Sequence, residues 1–182
     1  MSIFGLMSDN DYGELHLKRD AESGLNAIIA IHDTTRGPAL GGCRFVEYDS
    51  EEAAVTDALR LARGMTYKAA ISDLPLGGGK SVIMKPKGDF DRKKLFTAFG
   101  QFVDDLGGRY ITAADSGTSV EDMETIFTRT KNVTGVTKAS GGSGDPSPFT
   151  ALGVRRGMEA FVKVGLKRSS LEDVIVLSLI HI

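Results

Sequence analysis

Two lysines, Lys68 and Lys80, flank a run of three glycines in the segment GMTYKAAISDLPLGGGKS of residues 64–81. A lysine that is shielded from water and lies beside a second cation has a lowered pKa, because both effects disfavour the charged form. Such a lysine can act as a base near neutral pH, while a second lysine that stays charged binds a substrate anion. The glycines allow the backbone to approach a ligand closely, since they have no Cβ. The pattern therefore predicts an acid–base site for an anionic substrate.

The end of this segment, Gly79-Lys80-Ser81, looks like a phosphate-binding P-loop, but its spacing is wrong. A P-loop requires a further glycine five residues before the last one, and Leu74 occupies that position. A P-loop also leads from a strand into a helix, whereas the residues after Lys80 are β-prone and end at Pro86. The sequence thus argues against a nucleotide hydrolase.

The elements that must position these residues alternate between strands and helices. A buried strand is predicted over 27–31, and a helix opened by the capping pair Asp49 and Glu52 is predicted to carry Lys68 near its C-terminal end. A short strand over 110–113 leads to Asp115 in a Ser-Gly-Thr loop. The other predicted elements are an apolar helix from Leu95 to Leu106 stopped by Gly107 and Gly108, a helix over 120–129 capped by Ser119, a loop over 139–148 and a helix from Phe149 to about Val164. This alternation predicts an α/β layer architecture.

Composition excludes several classes of protein. The chain has 182 residues, is 41% hydrophobic and 25% charged, and carries a net charge of −2, which is ordinary for one soluble globular domain or slightly more. No basic stripe indicates nucleic acid, no apolar run approaches the roughly 20 residues that span a bilayer, and the N-terminus lacks a secretory signal. The single cysteine, Cys43, is interpreted as a packing residue in a reducing cytoplasm. No metal site is expected, because no ligand spacing connects His16, His32 and His181.

Five blocks of sequence, taken in order, resemble a known family. They are Gly37-Pro-Ala-Leu-Gly-Gly42, Asp57-Ala-Leu-Arg-Leu-Ala-Arg-Gly-Met-Thr-Tyr-Lys68, Leu76-Gly-Gly-Gly-Lys80, Ile111-Thr-Ala-Ala-Asp115 and Asp145-Pro-Ser-Pro148. The blocks resemble the substrate domain of the Glu/Leu/Phe/Val amino acid dehydrogenases, most closely the leucine-specific members, from about Leu15 to Val176. The resemblance implies a three-layer-like α/β domain, with a mixed sheet flanked by helices, in a homo-oligomer. It also implies NAD-dependent oxidative deamination of L-leucine or another branched-chain amino acid to the 2-oxo acid and ammonia.

At the matching positions, the resemblance implies a role for each charged residue. Lys68 would bind the substrate α-carboxylate, Lys80 would activate the water that attacks the imine, and Asp115 would carry protons to and from the amino nitrogen. The chemistry is consistent, because hydride leaves Cα only when the amine is neutral, and a lysine of lowered pKa can deprotonate water. Taken singly, each residue also has a structural explanation, as a helix-end lysine or as a turn residue. Within five matched blocks, the functional interpretation is favoured.

The substrate side chain is predicted to meet an apolar pocket. Glutamate-specific relatives carry a lysine for the distal carboxylate where this chain has Leu40, and burying that carboxylate without a cation costs several kcal/mol. Leucine, valine and phenylalanine are not separated, since one methylene contributes only ~1–3 kcal/mol. Gly41 and Gly42 form either a tight turn or a pair of backbone N–H donors to the substrate carboxylate, and the resemblance favours the donors. The residues assigned to the pocket are Leu40, Met65, Ala113 and Thr134.

Asp145 and Thr150 are the remaining residues assigned to the site. Asp145 stands where family members often have asparagine, and it would position Lys68 rather than touch the substrate carboxylate, which it would repel. Thr150 is a candidate cofactor contact. A dinucleotide site needs G-x-G-x-x-G between a strand and a helix, and Gly142-Ser-Gly144 has neither the last glycine nor a preceding strand. The NAD site is therefore expected mainly outside this chain.

The chain is interpreted as a substrate-binding and dimerisation domain over 1–168, followed by the truncated start of a Rossmann domain over 169–182. A turn from Ser170 is predicted to lead into a buried strand that begins at Val174–Leu177. A chain that ends there would lack the site for the oxidant, and we expect it to be inactive by itself. Two alternatives stay open: a non-catalytic amino-acid-binding or oligomerisation module, and a phenylalanine or valine dehydrogenase of the same family.

Overall fold

The computed structural model of the chain describes residues 2–9 and 13–177. In chain order the elements are α1 (Ile3–Asp9), β1 (Glu14–Asp20), β2 (Leu25–Asp33), β3 (Ala39–Val46), α2 (Glu51–Ile71), β4 (Gly77–Met84), α3 (Arg92–Asp104), β5 (Tyr110–Ala114), α4 (Val120–Phe127) and α5 (Ser147–Val164). The chain divides into two compact units between Gly144 and Asp145, so α5 belongs to the second unit. Over the described ranges, none of the helices is long and apolar enough to cross a membrane.

A five-stranded mixed sheet of order β1-β2-β4-β3-β5 forms the centre of the first unit. β1 and β2 are antiparallel, and so are β2 and β4. β3 runs parallel to both β4 and β5, and it lies between them. The predicted α/β class, with a mixed sheet flanked by helices, is confirmed.

Successive residues of a strand point to opposite faces, so β2 and β4 contribute side chains to two separate cores. On one face the sheet packs against α3 and α4, and on the other it packs against α1 and α2. Full burial of one large apolar side chain contributes roughly 1.5–3 kcal/mol, so both cores are substantial. The α3–α4 core includes Phe96, Phe99, Met123 and Ile126, and the α2 core includes Leu6, Val55, Leu59 and Val82.

The helix starts differ slightly from the prediction. Ser50, not Asp49, caps α2, because the Ser50 hydroxyl accepts a hydrogen bond of 3.1 Å from the Ala53 N–H. That oxygen satisfies one of the N–H groups that have no partner within the first helical turn. Ser119 caps α4 as predicted, and Asp122 completes a capping box with it.

The three glycines form the first part of β4 rather than a loop. A Cβ on Gly78 would lie 2.2 Å from the Thr66 nitrogen and 2.6 Å from the Ala62 carbonyl oxygen, which are both backbone atoms of α2. The missing side chain therefore lets the helix backbone rest directly on the strand. At Gly78, the close approach that glycine allows is made by the backbone of α2.

Cys43 and two of the histidines have ordinary packing roles in the first unit. Cys43 is fully buried, and burial raises the pKa of its thiol to about 12, which confirms it as a packing residue. His32 lies 2.8 Å from the Thr66 hydroxyl, between the Nδ1 and Oγ1 atoms. The His16 Nε2 atom lies 3.0 Å from a carboxylate oxygen of Glu14.

The second unit begins its helix two residues earlier than predicted. α5 starts at Ser147 rather than Phe149, because a proline at position 148 is compatible with the first turn, where its missing N–H is not needed.

The buried strand predicted at Val174–Leu177 is not formed, and Ile175 is 97% exposed. Within the described ranges no strand pairs with this segment, so its backbone has no ladder to join. The part of the predicted Rossmann start from Ser178 onward lies outside the described residues. The domain boundary predicted at residue 168 stays a prediction.

Replacing Gly78 by alanine should lower the free energy of unfolding by about 1–3 kcal/mol, because the added methyl group would push the backbone of α2 off the sheet. Urea unfolding followed by circular dichroism measures this loss. The matched control is Gly64→Ala in α2, where nothing lies within 4 Å of the added Cβ. That change should stabilise the chain by about 0.5–1 kcal/mol, since alanine favours helix. Wild-type stability for Gly78→Ala would contradict the close contact.

Candidate active site

Part of the α2 face of the sheet forms a half-buried shelf. Gly42 pairs with Ala113 in the parallel register, and a Cβ on Gly42 would point at the Asp115 carboxylate, 2.7 Å from its Oδ2 atom. These residues therefore lie on one face, and every second residue of β3 joins them. We call this surface the shelf and define it by the half-buried residues Leu40, Arg44, Ala113 and Asp115.

The Lys80 side chain lies in the middle of β4, and its ammonium group is buried against the shelf. Its side chain is only 4% exposed, and Nζ donates a hydrogen bond to the Asp115 carboxylate, which is 24% exposed. Burial lowers the pKa of Lys80 to about 8, and the neighbouring Arg44 cation lowers it further than the charge of Lys68 does. Burial and a second cation were the two causes expected from the sequence, but the stronger cation is Arg44 rather than Lys68.

The Asp115 carboxylate is held by the turn that follows β5. Its Oδ1 atom accepts a hydrogen bond of 2.6 Å from the Ser116 N–H, and the Asp115 N–H donates to the Thr118 hydroxyl at 2.7 Å. The Thr118 hydroxyl in turn donates to the carbonyl of Cys43 in β3. These contacts fix the carboxylate at the end of β5, beside Lys80.

Sequence reasoning missed an extension of this pair. Arg44 Nη1 donates to the Asp57 Oδ2 atom of α2 at 2.7 Å, and the Tyr48 hydroxyl donates to the same oxygen at 2.7 Å. Burial raises the pKa of the Tyr48 hydroxyl, so it stays a donor. The available signal was the period of two along β3, which puts Arg44 on the same face as Gly42.

Lys68 and Met65 lie on the same side of α2, because residues three apart are neighbours on a helix surface. Lys68 is in the last turn and is exposed, whereas Met65 is half-buried. Lys68 is also close enough for its charge to lower the pKa of Lys80. An exposed cation therefore stands near a buried one.

Gly41 and Gly42 lie within β3, so the tight-turn interpretation is wrong. A Cβ on Gly41 would lie 1.8 Å from the carbonyl oxygen of Gly79, which shows how closely β3 and β4 approach. The Gly41 carbonyl accepts a hydrogen bond of 2.7 Å from the Tyr110 hydroxyl. At Gly42 the missing side chain leaves the space that the Asp115 carboxylate occupies. The role of their N–H groups toward a substrate stays a prediction.

The other three predicted residues, Thr134, Asp145 and Thr150, make hydrogen bonds within their own unit. Thr134 is exposed, and its N–H donates to the Thr112 carbonyl, so its place in the pocket stays a prediction. Asp145 and Thr150 belong to the second unit. The Asp145 carboxylate accepts from the Ser147 N–H at 2.9 Å, which lowers its pKa, and the Thr150 hydroxyl donates to the Pro146 carbonyl. Their proposed contacts with substrate and cofactor are untested.

Known proteins resemble this chain in both sequence and fold. The family model described as Glu/Leu/Phe/Val dehydrogenase, dimerisation domain, matches residues 12–132. The leucine dehydrogenase of Bacillus subtilis (strain 168) is 55% identical over 172 residues, which cover 94% of this chain and 47% of the relative. The phenylalanine dehydrogenase of Bacillus thermotolerans is 47% identical, over 87% of this chain and 41% of the relative. The crystal structure of L-tryptophan dehydrogenase from Nostoc punctiforme matches with a TM-score of 0.72 and 40% identity, over 93% of this chain and 47% of that one.

The chain therefore belongs to the Glu/Leu/Phe/Val dehydrogenase family and carries its dimerisation domain. It spans about half the length of the curated relatives it matches. The family predicted from the five blocks is confirmed, while the roles of individual residues stay predictions.

Lys80 should titrate near pH 8 in this chain, because burial and the Arg44 cation both disfavour its charged form. NMR of lysine labelled with ¹³C at the ε position measures this, and the signal is assigned by its loss in Lys80→Met. Lys85→Met, at an exposed lysine that pairs with Glu47, is the control and should leave that signal in place.

The same shift predicts a pH dependence of stability. Between pH 8 and about 10.5 the unfolded chain keeps the Lys80 proton that the folded chain releases, so this group makes the free energy of unfolding rise with pH over that window. Lys80→Met should lose that rise relative to the wild-type chain in urea titrations. A Lys80 signal that titrates above pH 10 would contradict both expectations.

Proposed function

We propose that this chain is the substrate-binding part of a dehydrogenase that oxidatively deaminates L-leucine, or another branched-chain amino acid, to a 2-oxo acid and ammonia. The observation that carries the proposal is the buried Lys80 ammonium in contact with the Asp115 carboxylate, beside an open shelf. The 55% identity to a leucine dehydrogenase supports the reaction and the substrate. A non-catalytic binding module would have no use for a buried lysine of lowered pKa, so the enzyme is favoured.

Substrate orientation follows from the charges. The exposed Lys68 ammonium is assigned to the α-carboxylate, because it stays accessible at the end of α2. The N–H groups of Gly41 and Gly42 are assigned to the same carboxylate. The substrate amino group then lies toward Asp115, and its side chain lies toward the shelf and α2. The assigned side-chain pocket is Leu40, Met65, Ala113 and Thr134.

Proton transfer is assigned to the buried pair. The substrate ammonium must lose a proton before Cα can be oxidised, and the Asp115 carboxylate is an acceptor at that point. Lys80, neutral in a large fraction of molecules near pH 8, can take a proton from the water that attacks Cα of the oxidised substrate. Asp115 then returns a proton to the leaving nitrogen. The two residues act together because their charged groups are in contact.

NAD is the proposed oxidant, and when bound it supplies the acceptor for the hydride that leaves Cα. Within the described residues, no turn between a strand and a helix carries the G-x-G-x-x-G fingerprint. We therefore propose that NAD binds mainly outside this chain, with Thr150 of α5 as a candidate contact. The assembly is proposed to be a homo-oligomer built partly through this domain, and the buried Cys43 thiol is compatible with a cytoplasmic location.

A hybrid enzyme tests the assignment directly. Residues 1–177 of this chain, joined to the C-terminal half of the Bacillus subtilis leucine dehydrogenase, should form NADH from leucine. Lys80→Ala should lower kcat of the hybrid by about 10²- to 10⁴-fold, because the base is lost. Lys85→Ala is the matched control, since Lys85 lies on the surface and pairs with Glu47. Turnover retained in Lys80→Ala would remove the base assignment.

Two further readouts separate the parts of the proposal. Below pH 8 the kcat/KM of the hybrid should rise about tenfold per pH unit and then level off, since the neutral form of Lys80 is the active one. The 182-residue chain by itself should form no NADH from leucine and NAD. A flat pH profile would argue against Lys80, and leucine-dependent NADH formation by the chain alone would overturn its assignment as one part of the enzyme.

Substrate choice should change when Leu40 is replaced by lysine in the hybrid. The added cation would stabilise the distal carboxylate of glutamate, so the ratio of kcat/KM for glutamate to that for leucine should rise about tenfold or more. Leu17→Lys, at an exposed position of β1, is the control and should leave the ratio unchanged. An unchanged ratio in Leu40→Lys would place Leu40 outside the side-chain pocket.

A further inference from the structure

We propose that Arg44 is a positioning residue for the Lys80–Asp115 pair. Its guanidinium group lies between the Asp57 carboxylate of α2 and the Asp115 carboxylate, and it holds Asp115 in register with the Lys80 ammonium. The inference rests on the proposed function, in which Lys80 is the base and Asp115 carries the proton. Arg44 is not assigned a contact with the substrate.

The three charged residues come from three neighbouring strands. Lys80 is on β4, Arg44 is on β3 in the middle, and Asp115 follows β5. Arg44 lies on the shelf because it follows Gly42 by two residues. Its position on the central strand puts its guanidinium within reach of groups on both neighbours.

Of the donors on the Arg44 guanidinium, Nη1 is hydrogen-bonded to a described residue and Nε is not. Nη1 donates to Asp57 Oδ2 at 2.7 Å. Nε is buried and has no hydrogen-bond partner within the described part of the chain, and it lies 3.9 Å from Asp115 Oδ1. That distance is too long for a hydrogen bond. A buried donor without a partner is costly, so a small movement of Asp115 toward Nε would be favourable.

The Arg44 Nε donor offers Asp115 a second partner besides Lys80. When Lys80 loses its proton, it no longer carries the positive charge that balances the Asp115 carboxylate. An arginine side chain keeps its charge in proteins, so the Arg44 guanidinium can still balance the Asp115 carboxylate after Lys80 has given up its proton. The arginine thus supplies the charge that the lysine gives up.

Asp57 and Tyr48 hold the guanidinium in this orientation. Asp57 Oδ2 accepts from both Arg44 and Tyr48, each at 2.7 Å, and the planar fork of arginine leaves little freedom once one end is bound. The Arg44 side chain is 30% exposed and the Asp57 side chain 25%, so the contact is partly shielded from water. The hydrogen bond to Asp57 thus connects Arg44 of β3 to α2, the helix that also carries Lys68.

The charged and titratable groups that act on the Lys80 proton come from β3, from α2 and from the turn after β5. Arg44 and Cys43 lie on β3, Asp115 follows β5, and Asp57 and Lys68 lie on α2. Among the charged groups, Arg44 and Lys68 lower the pKa of Lys80, and Asp57 raises it. Removal of the Arg44 charge should therefore raise this pKa, and removal of the Asp57 charge should lower it.

The test compares Arg44→Met with Arg60→Met, which removes the same charge from an exposed position one turn beyond Asp57 on α2. By ¹³C NMR of this chain, Arg44→Met should raise the pKa of Lys80 by roughly half a unit to one unit, and Arg60→Met should leave it within about 0.2 units, because exposed charges are screened. In the hybrid enzyme Arg44→Met should lower kcat about tenfold and move the pH profile upward. A Lys80 pKa unchanged by Arg44→Met would overturn the proposal.

Two more variants cover the case in which Arg44→Met does not fold. Arg44→Lys restores the charge but cannot bridge two carboxylates, so the pKa of Lys80 should return to the wild-type value while kcat stays reduced. Asp57→Asn should lower the pKa of Lys80. If kcat in Arg44→Lys equals that of the wild type, the positioning role is wrong. The NMR result does not depend on turnover, so a hybrid without activity would count against the proposed function and leave the Arg44 test intact.

Discussion

The backbone of α2 rests directly on β4, and the position of the charged residues depends on this contact. It is possible only because Gly78 has no side chain, so Thr66 and Ala62 of the helix approach the strand within contact distance of its backbone. A helix held further away would carry Lys68 and Asp57 away from the shelf. It would also admit water around Lys80, whose lowered pKa depends first on burial. Gly78 thus acts on the site through packing.

A buried ammonium group is normally costly, and this one is kept by a balance of several contacts. Lys80 is in contact with Asp115, which offsets part of the loss of hydration. Arg44 acts in the opposite direction and disfavours the proton on Lys80. The result is a lysine that is neither firmly charged nor firmly neutral near pH 8. A simple ion pair in water would hold the proton more tightly, so burial of Lys80, reinforced by the Arg44 cation, separates this arrangement from a structural salt bridge.

Much of the fold could be predicted from the sequence, because apolar periodicity and caps are local signals. The strand before Asp115, the helix that carries Lys68 and the cap at Ser119 are where the pattern predicts them. The strand at Val174–Leu177 was predicted from its apolar run, but strand formation requires a partner that the pattern cannot reveal. For Gly77–Gly79 the pattern left two explanations open, close approach to a ligand and an ordinary turn. Their position in a strand follows from pairing with β2 and β3, which are far away in sequence.

The site was less accessible to sequence reasoning than the fold. Lys80 and Asp115 were found through motif blocks, and the structure brings them into contact. The Arg44–Asp57 contact was not predicted, since a pairing between a strand and a helix depends on register and on side-chain direction. The alternation along β3 indicates the face of the sheet on which Arg44 lies. Which turn of α2 faces β3 is known only from the three-dimensional structure.

The order of residues along β3 also has an evolutionary consequence. Leu40 and Arg44 point to the same face, and the residue between them on that face is Gly42, which contributes no side chain. In the proposed assignment, the residue that selects the substrate is therefore insulated from the residue that holds the proton-transfer pair. Mutations at the first position can be accepted without a compensating change at the second. Such modularity gives a lineage a short path between substrates, and the relatives of this chain include leucine, phenylalanine and tryptophan dehydrogenases.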